Sequence, residues 1–495
     1  MSGCGRWLVA AALAASGVAC ALCCGRASPA WPLAASGGAA ALLFAFGAPD
    51  GAPRRRNALV CVALFLAAFS VTAGRLERMK RTLDEASVGA PSSPSVFEFE
   101  IPADAVLRPP SSGRPAALSF RACAGGLPVS VWLPLPDGTE RPAAGERWRF
   151  SGWLERYGAK PPWRRRMFWV NGRGASATRL PAPRGLLRRA LDAVRTALLA
   201  NASIGLENMP EAAAFNRALL FGDRSALPRA SMDALSAAGT VHVFAISGLH
   251  VFVLARAVLG LFCLAGLSAR PAAAAAIPAV WFYVLLAGAP PSAVRAASMA
   301  TFHYGALLAW RRPDGLVSWA QTLTLFAFVS PESLAGAGCI LSFAVMLALA
   351  LWGRTFGAGR EDAFALRLGA SAAAWCAGAP VVACIFGRFA PGGLLANLAA
   401  LPAAAAAFAA GAAGSVAAFF SKTAAVHLNG FAALAMDSLA GLSRTVAAIP
   451  AFSFRTDPWH PAVCIAWYAA LAAPFAFHFA ATRRKFALTN RKWSL

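Results

Sequence analysis

The stretch AGTVHVFAISGLHVFVLARAVLG, from Ala238 to Gly260, is apolar enough for a membrane or core helix, yet it contains two histidines and a serine. Buried polar groups are unfavourable unless they have partners or line a water-filled space. On one continuous helix, at about 100° per residue, His242, Ser247 and His250 share a broad face. We expect that face to point at a cavity. The alternative is that the three are satisfied polar groups between helices.

The composition places the chain in a membrane. Hydrophobic residues make up 58% of its 495 residues and charged residues only 14%, whereas a soluble globular protein carries roughly 25%. The mean hydropathy is +0.56, and apolar runs of about 20 residues recur. We therefore expect a polytopic α-helical membrane protein. The net charge of +24 comes partly from positive-inside loops and otherwise suits an anionic partner.

Shifts in composition divide the chain into five parts. They are about three N-terminal transmembrane helices (1–75), an exported small β domain (76–182), an amphipathic interfacial helix and linker (183–238), a transmembrane bundle (239–482) and a basic cytoplasmic tail (483–495). We expect segment 7–25 to be a retained helix, and a signal peptide is the alternative. About nine apolar segments form the bundle, near 240–267, 272–289, 293–310, 316–330, 334–352, 368–386, 392–417, 423–447 and 461–482.

Alternating or aromatic-rich stretches, separated by Gly and Pro turns, predict the β domain. They are SVFEFEIP, AALSFRACA, PVSVWLPLP and RWRFSGWLERY, which begin at residues 95, 116, 128 and 147. The segment 183–202 has apolar residues at helical spacing and a basic face, so we expect it to lie on the bilayer surface.

Residues 141–195 combine positive charge with aromatic side chains. They carry fourteen Lys and Arg residues against three Asp and Glu residues. Arginine neutralises phosphates and aromatic faces stack bases, so the segment indicates a surface for single-stranded DNA. The alternative is that the aromatic residues form the domain core while the arginines meet anionic lipids. The residues predicted to bind DNA are Arg147, Trp148, Arg149, Trp153, Arg156, Trp163, Arg164, Arg165 and Arg166.

The basic residues also orient the chain. If the run from Arg54 to Arg56 is cytoplasmic, the β domain is outside and nine further spans return the tail to the cytoplasm. After residue 267, twelve basic residues then fall in inner loops or the tail, and only Arg388 and Arg455 fall in outer loops. The basic cluster at 75–81 lies outside in this orientation. It precedes a long exported domain, and the positive-inside rule is weaker for such domains than for short loops.

Further polar residues interrupt or flank the apolar segments. Arg295 follows the sequence PPSAV, and a buried arginine needs an anion, a carboxylate or water. Asn397 lies in GGLLANLAALP, while Asp223 and Arg224 lie in LLFGDRSALP, just before the polar stretch. Together these residues predict a hydrated path through the bundle.

Four stretches carry a family resemblance. They are AFNRALLFGDRSALPRASMDALSAAGTVHVFAISGLHV, PPSAVRAASMA, RRPDGLVSWAQTLTLFAFVSPESLAGAGCILSFAVM and FGRFAPGGLLANLAALP, within about 215–402. In sequence and in order they resemble the ComEC competence family, the DNA-internalisation channels of naturally transformable bacteria. The family motifs match at Asp223, Arg224, His242, Ser247, Gly248, His250, Arg295 and Asn397. The resemblance supplies no individual roles, and we infer from their polar positions in apolar segments that they line the channel.

The resemblance implies an exported OB-like domain and a multi-helix channel that passes single-stranded DNA into the cytoplasm during natural transformation. The expected partners are single-stranded DNA, membrane lipids, a separate DNA receptor and a separate cytoplasmic motor, because no GxxxxGK[ST] motif is present. Many family members end in a metallo-β-lactamase-like nuclease domain. This sequence is identified as a form without it, because its six histidines form no paired metal motif. If one strand is degraded during uptake, either a separate nuclease does it or this sequence is a truncated form, and no cofactor, metal ligand or catalytic residue is predicted here.

Two other functions fit part of the sequence. A small-molecule or lipid transporter would account for the bundle and its polar residues but not for the basic aromatic segment. An intramembrane serine hydrolase would use Ser247 as the nucleophile. For that enzyme, however, Ala245 replaces the first glycine of GxSG, and His250 lies three residues on along the same helix, a poor position for a base.

Overall fold

A computed structural model describes most of the chain from residue 95 onward. The described residues are 95–101, 106–108, 117–124, 127–134, 146–156, 168–171, 178–180, 186–223, 226–244, 246–334, 336–356, 363–457, 459, 463–464 and 466–471. The predictions for 1–75 and for the tail 483–495 lie outside the described residues. So do those for Arg224 and for the run from Trp163 to Arg166.

Seven strands form one sheet in the region where the sequence predicts β structure. They are β1 (Ser95–Glu100), β2 (Val106–Arg108), β3 (Ala117–Ala124), β4 (Leu127–Pro134), β5 (Arg147–Arg156), β6 (Phe168–Asn171) and β7 (Thr178–Leu180). The four alternating stretches coincide with β1, β3, β4 and β5. The strand order is β1-β5-β6-β4-β3-β2, and β7 also pairs with β5.

The long strand β5 joins the two halves of the sheet. Its first half pairs with β1 and β7, and its last four residues pair with β6. Among the seven strands, β4 and β6 run parallel and the other pairs are antiparallel. The buried side chains include Phe99, Leu118, Val131, Leu133 and Trp148. The strands are observed, and their classification as an exported OB-like domain stays a prediction.

Helices make up most of the chain from residue 186 onward. They are α1 (Leu186–Asn201), α2 (Pro210–Phe221), α3 (Arg229–Ala237), α4 (Gly248–Leu264), α5 (Ala269–Leu286), α6 (Pro291–Leu308), α7 (Gly315–Val329), α8 (Pro331–Leu334), α9 (Ala337–Phe356), α10 (Ala363–Phe386), α11 (Gly392–Ala417) and α12 (Lys422–Ala447). Two 3₁₀ helices, Val241–Phe244 and Pro450–Phe452, and a ribbon of β8 (Arg388–Phe389) and β9 (Phe454–Arg455) complete the described elements.

Four described helices are long and apolar enough to cross a membrane. These are α5, α9, α10 and α11, judged by length and composition. The apolar helices α4 and α7 are shorter, at 17 and 15 residues. Helices lie over eight of the nine predicted segments, and the ninth is described only as far as residue 471. The expectation of a mostly helical protein with several candidate spans is confirmed, and the nine-span topology stays a prediction.

Small residues allow the helices of the bundle to approach closely. The largest buried cluster contains Phe244, Phe408 and Met436 among many alanines of α5, α6, α11 and α12. Lipid tails are as apolar as leucine, so packing and hydrogen bonds, rather than the hydrophobic effect, hold such helices together. The Ala-rich stretches of the sequence supply this packing.

One buried asparagine shows how tightly α11 and α12 meet. Asn429 of α12 donates from Nδ2 to the carbonyl oxygens of Asn201 and Ile204, each at 2.9 Å. Its Oδ1 faces α11, where a Cβ added at Gly414 would lie 2.5 Å away. Because two hydrogen bonds fix the amide, Asn429 cannot move aside without losing them.

We therefore expect Gly414→Ala to destabilise the protein by about 1–3 kcal/mol through overpacking. The matched control is Gly430→Ala on α12, where an added Cβ meets nothing within 4 Å and helix propensity favours alanine by up to about 1 kcal/mol. The measurement is unfolding of the detergent-solubilised full chain by heat or by SDS. Equal stability of the two variants would contradict the packing described here.

Candidate functional site

The polar stretch is a broken helix. Residues Val241–Phe244 form a 3₁₀ turn, the backbone is extended at Ser247, and α4 begins at the next residue. The prediction of one continuous helix over 240–267 is therefore wrong, and so is the shared face derived from it. His242 belongs to the 3₁₀ turn, Ser247 is the N-cap, and His250 lies in the first turn of α4.

Ser247 and His250 form a reciprocal capping box. The Ser247 Oγ accepts the Leu249 N–H at 3.2 Å, and the Ser247 N–H donates to His250 Nδ1 at 2.9 Å. Histidine thus takes the role that Glu or Gln has in the common motif. Because Nδ1 accepts, a neutral imidazole carries its proton on Nε2. A Cβ at Gly248 would make only an ordinary 3.9 Å contact with Ala296.

The His250 ring is fully buried, at 0% exposure. It packs edge-on against Phe408 of α11, with 4.7 Å between the ring centroids. Its Nε2 has no hydrogen-bond partner in the described part of the chain. A buried polar atom of this kind is where folded proteins usually hold ordered water.

Neighbouring helices hold the break in place. Ser292 of α6 donates to the carbonyl oxygen of Ile246 at 2.6 Å, in the extended segment before α4. Tyr283 of α5 donates to the Leu220 carbonyl at 3.0 Å and packs edge-on against Phe408. A side chain of α6 therefore bonds one backbone carbonyl at the break, and Tyr283 links α5 to α2 beside the Phe408 ring that contacts His250.

His242 lies on the other side of the break and is exposed. Its Nδ1 is 3.0 Å from the Gly239 carbonyl oxygen. Gly239 has a φ of +76°, and a Cβ there would lie 3.5 Å from Gly393 Cα of α11. The hydroxyls of Thr240 and Ser443 lie 2.9 Å apart and tie the same turn to α12.

Arg295 lies one helical turn beyond Ser292 on α6, about 4.5 Å along the axis. Its side chain is only 6% exposed. Its Nη2 donates to the Gly338 carbonyl at 3.0 Å, at the start of α9. Its Nε and the Oδ1 of Asn397 are buried, and neither has a partner in the described part. Arg295, Asn397 and His250 thus each carry a buried polar atom that no described protein group satisfies.

Asp223 follows α2 directly and is half-buried. Burial lowers the pKa of the Arg195 guanidinium on α1, and the charges of Asp223 and Asp192 oppose that shift. The structure therefore places Asp223 beside the predicted interfacial helix.

Three of the residues predicted to bind DNA have described side chains on β5. Arg147 and Arg149 both form ion pairs with Glu98 of β1, at 2.8 Å and 2.6 Å. The Arg149 guanidinium holds the pKa of the Glu98 carboxyl below its ordinary value. Trp148 is 7% exposed and donates to Glu146 Oε2 at 3.0 Å.

The prediction of Trp148 as a base-stacking residue is therefore wrong, because its indole lies in the core of the sheet. Arg149, at 52% side-chain exposure, remains on the surface. Trp153 and Arg156 lie in the second half of β5, which pairs with β6.

Sequence reasoning missed a cleft of about 460 Å³ beside α2. It contains carboxylates and a guanidinium, and Nε of Arg217 is buried without a partner in the described part. The available signal was the position of Arg217 inside the AFNRALLF motif. The lining residues are Ser203, Leu206, Glu207, Pro210, Glu211, Ala213, Arg217, Ala226 and Pro228.

The geometry argues against a serine hydrolase. Ser247 Oγ is 3.4 Å from His250 Nδ1, but the same nitrogen already accepts the Ser247 backbone N–H at 2.9 Å. Its lone pair is therefore engaged and cannot take the hydroxyl proton. Within the described residues, no group of three His, Cys, Asp or Glu side chains could hold a metal ion.

Loss of the cap should be measurable. We expect Ser247→Ala to reduce the free energy of unfolding by about 0.5–2 kcal/mol, because the first turn of α4 loses its acceptor. Ser247→Thr should recover most of the loss, and His242→Ala, outside the cap, serves as the control. Unfolding of the solubilised full chain measures all three. The cap has no structural role if Ser247→Ala and His242→Ala are equally stable.

Comparisons with known proteins agree with the motifs. The chain is 34% identical over 143 residues to ComE operon protein 3 of Bacillus subtilis, a match that covers 29% of this chain and 18% of that protein. It is 35% identical over 161 residues to Competence protein ComA of Neisseria gonorrhoeae, covering 30% and 23% of the two chains. The matches thus span about a fifth of each relative's length. No solved structure matches the chain significantly.

A family model described as Competence protein matches residues 219–480, which is more than half of the chain. This range includes the broken helix and the predicted channel residues from Asp223 to Asn397. The resemblance drawn from the sequence motifs is confirmed, and the chain belongs to the competence protein (ComEC/Rec2) family.

Proposed function

We propose that this protein is an inner-membrane channel that passes single-stranded DNA into the cytoplasm during natural transformation. One observation carries the proposal. The polar residues of the family region have buried atoms without described protein partners: His250 Nε2, Arg295 Nε and Asn397 Oδ1. Inside a membrane protein, such atoms require water or a polar ligand.

The length of α4 supports a break within the membrane. Its 17 residues extend about 26 Å, which is shorter than the roughly 30 Å hydrocarbon core. The backbone before Gly248, extended at Ser247, would then complete the crossing. Non-helical backbone at this depth is tolerated only where it is buried in protein or lines a wet cavity. His242, on the exposed side of the break, would meet the strand.

The chemistry of these groups suits weak, reversible binding of a DNA strand that moves through the protein. A pore must bind its cargo weakly enough to release it. Neutral histidine, serine and asparagine side chains offer hydrogen bonds without fixed charge. Arg295 would be the one cation among the proposed lining residues with a described side chain, and it would act as a single phosphate contact. Asp223, which lies beside α1, and its sequence neighbour Arg224 would belong to the entrance of the path.

The β sheet would present the strand from outside the membrane. Of its proposed DNA-binding residues, Arg147 and Arg149 share the charge of Glu98, so this pair contributes a net charge of about one. Trp153, Arg156, Trp163, Arg164, Arg165 and Arg166 would supply the remaining contacts. A receptor and a motor would be separate partners.

We expect Arg295→Ala to lower transformation at least about tenfold, equivalent to ~1.4 kcal/mol on the rate-limiting barrier. Surface DNA binding should persist, since Arg295 lies in the proposed membrane path. The host is a transformable strain whose own family member is deleted, and uptake of labelled DNA is measured alongside protein level. The exposed Arg312, changed to Ala, is the control. If Arg295→Ala is expressed at the normal level and transformation is unchanged, Arg295 does not line the proposed path.

We expect Glu98→Gln to strengthen binding of single-stranded oligonucleotides, because two arginines lose their shared carboxylate. One additional phosphate contact steepens the slope of log K against log[salt] by about 0.7. Binding is titrated against the full chain in nanodiscs. Glu207→Gln is the control, because that carboxylate accepts the Gly205 N–H outside the sheet. Unchanged affinity and slope would argue against this surface.

A further inference from the structure

Two cysteines distant in sequence meet where the last described segment docks on the bundle. Cys384 lies in the final turn of α10, and Cys464 follows β9. Their sulfur atoms are 2.8 Å apart across 80 residues of sequence. The Cys384 thiol also lies 3.5 Å from the Trp459 carbonyl oxygen.

Several independent interactions fix this contact. The β8–β9 ribbon pairs Phe389 with Phe454, and the Thr456 N–H donates to the Gly387 carbonyl at 3.1 Å. On the far side of Cys464, the Trp467 indole N–H donates to the Cys376 carbonyl at 2.8 Å. The segment that carries Cys464 is therefore fixed to α10 and β8 both before and after the cysteine.

Aromatic rings fill the space around the contact. Phe389 packs against Trp459 at 5.3 Å and against Phe454 at 5.6 Å between centroids, and Trp459 packs against Trp467 at 5.6 Å. A docked segment with this many rings has little freedom to carry Cys464 away from α10.

We propose that Cys384 and Cys464 form a disulfide bond in the mature protein. The S–S bond is about 2.05 Å long, so a shift of about 0.8 Å joins the two sulfurs. The bond would close a loop that contains all of α11 and α12. Of these helices, α11 carries Asn397 and Phe408, and α12 carries Asn429.

The orientation predicted from the loop charges places this contact on the oxidising side. In that orientation, Arg388 and Arg455, which pair across the β8–β9 ribbon, are the basic residues of the outer loops. Disulfides form and persist outside the cytoplasm. The inference uses this orientation and does not depend on DNA transport.

The oxidant would be a disulfide of an extracytoplasmic thiol–disulfide exchange protein or a small-molecule disulfide. One cysteine thiolate attacks a donor sulfur, forms a mixed disulfide and releases the first donor thiolate. The second cysteine then attacks the mixed disulfide, forms the Cys384–Cys464 bond and releases the second donor thiolate. Two thiols are oxidised, one donor disulfide is reduced, and the two protons pass to solvent or to the donor thiolates.

The test uses the full chain in membranes of aerobically grown cells. Thiols are blocked with N-ethylmaleimide under denaturing conditions, and the protein is digested and analysed by mass spectrometry before and after dithiothreitol. A separate sample is blocked, reduced and labelled with maleimide-PEG. The variants are Cys384→Ser and Cys464→Ser. Cys376→Ser is the matched control, because Cys376 lies on the same helix as Cys384. No other described thiol lies within hydrogen-bond distance of its sulfur.

We expect a linked Cys384–Cys464 peptide that disappears on reduction. Either single variant should lose two of the thiols that reduction releases, and Cys376→Ser should lose none. N-ethylmaleimide on both Cys384 and Cys464 before reduction would overturn the proposal, and so would a bond from either to a third cysteine. The result is read from the wild-type chain, so it stands even if a variant is poorly expressed or if the protein does not transport DNA.

Discussion

The capping box at Ser247 and His250 is the interaction on which the family region depends. It ends the extended segment and starts α4 by satisfying one backbone donor on each side, Leu249 N–H and Ser247 N–H. Without it, Leu249 N–H and Ser247 N–H would each lose the side-chain acceptor that it has in the structure. With it, α4 begins at Gly248, and α6 and α11 contact this region through Ser292, which donates to the Ile246 carbonyl, and Phe408, which packs against His250.

The close fit of the bundle follows from pairing glycine with asparagine. Asn429 faces Gly414, and one turn earlier on α11 Asn216 faces Gly411, where an added Cβ would lie 2.5 Å from its Oδ1. The Asn216 amide donates to the Ala202 carbonyl, and the Asn429 amide donates to the carbonyls of Asn201 and Ile204, at the end of α1 and in the turn after it. Small residues let the backbones approach, and buried amides then fix which helices meet. The same arrangement holds α11 close to the break, where Phe408 contacts His250.

Local patterns predicted the elements well. Alternation identified β1, β3, β4 and β5, and apolar runs identified eight helices, because both signals depend on near neighbours. Gly239 and Gly248 permit unwinding of the polar stretch, but the capping box that ends the break was not predicted, because histidine stands where the common pattern has Glu or Gln. The burial of Trp148 and the sharing of Glu98 depend on β1–β5 register. The contacts of Arg217, Arg295 and Cys384 depend on tertiary packing. None of these features can be predicted from residues that are close together in the sequence.

Photo-cross-linking during uptake tests the central claim most directly. A photoreactive amino acid replaces His242, which is exposed beside the break, or Phe252, which is 60% exposed on α4. Cells are illuminated while they take up labelled DNA, and the protein is recovered. A path along the break predicts DNA adducts at position 242 and far fewer at 252. Adducts absent from position 242, or equal at both positions, in a strain that still transforms would contradict it.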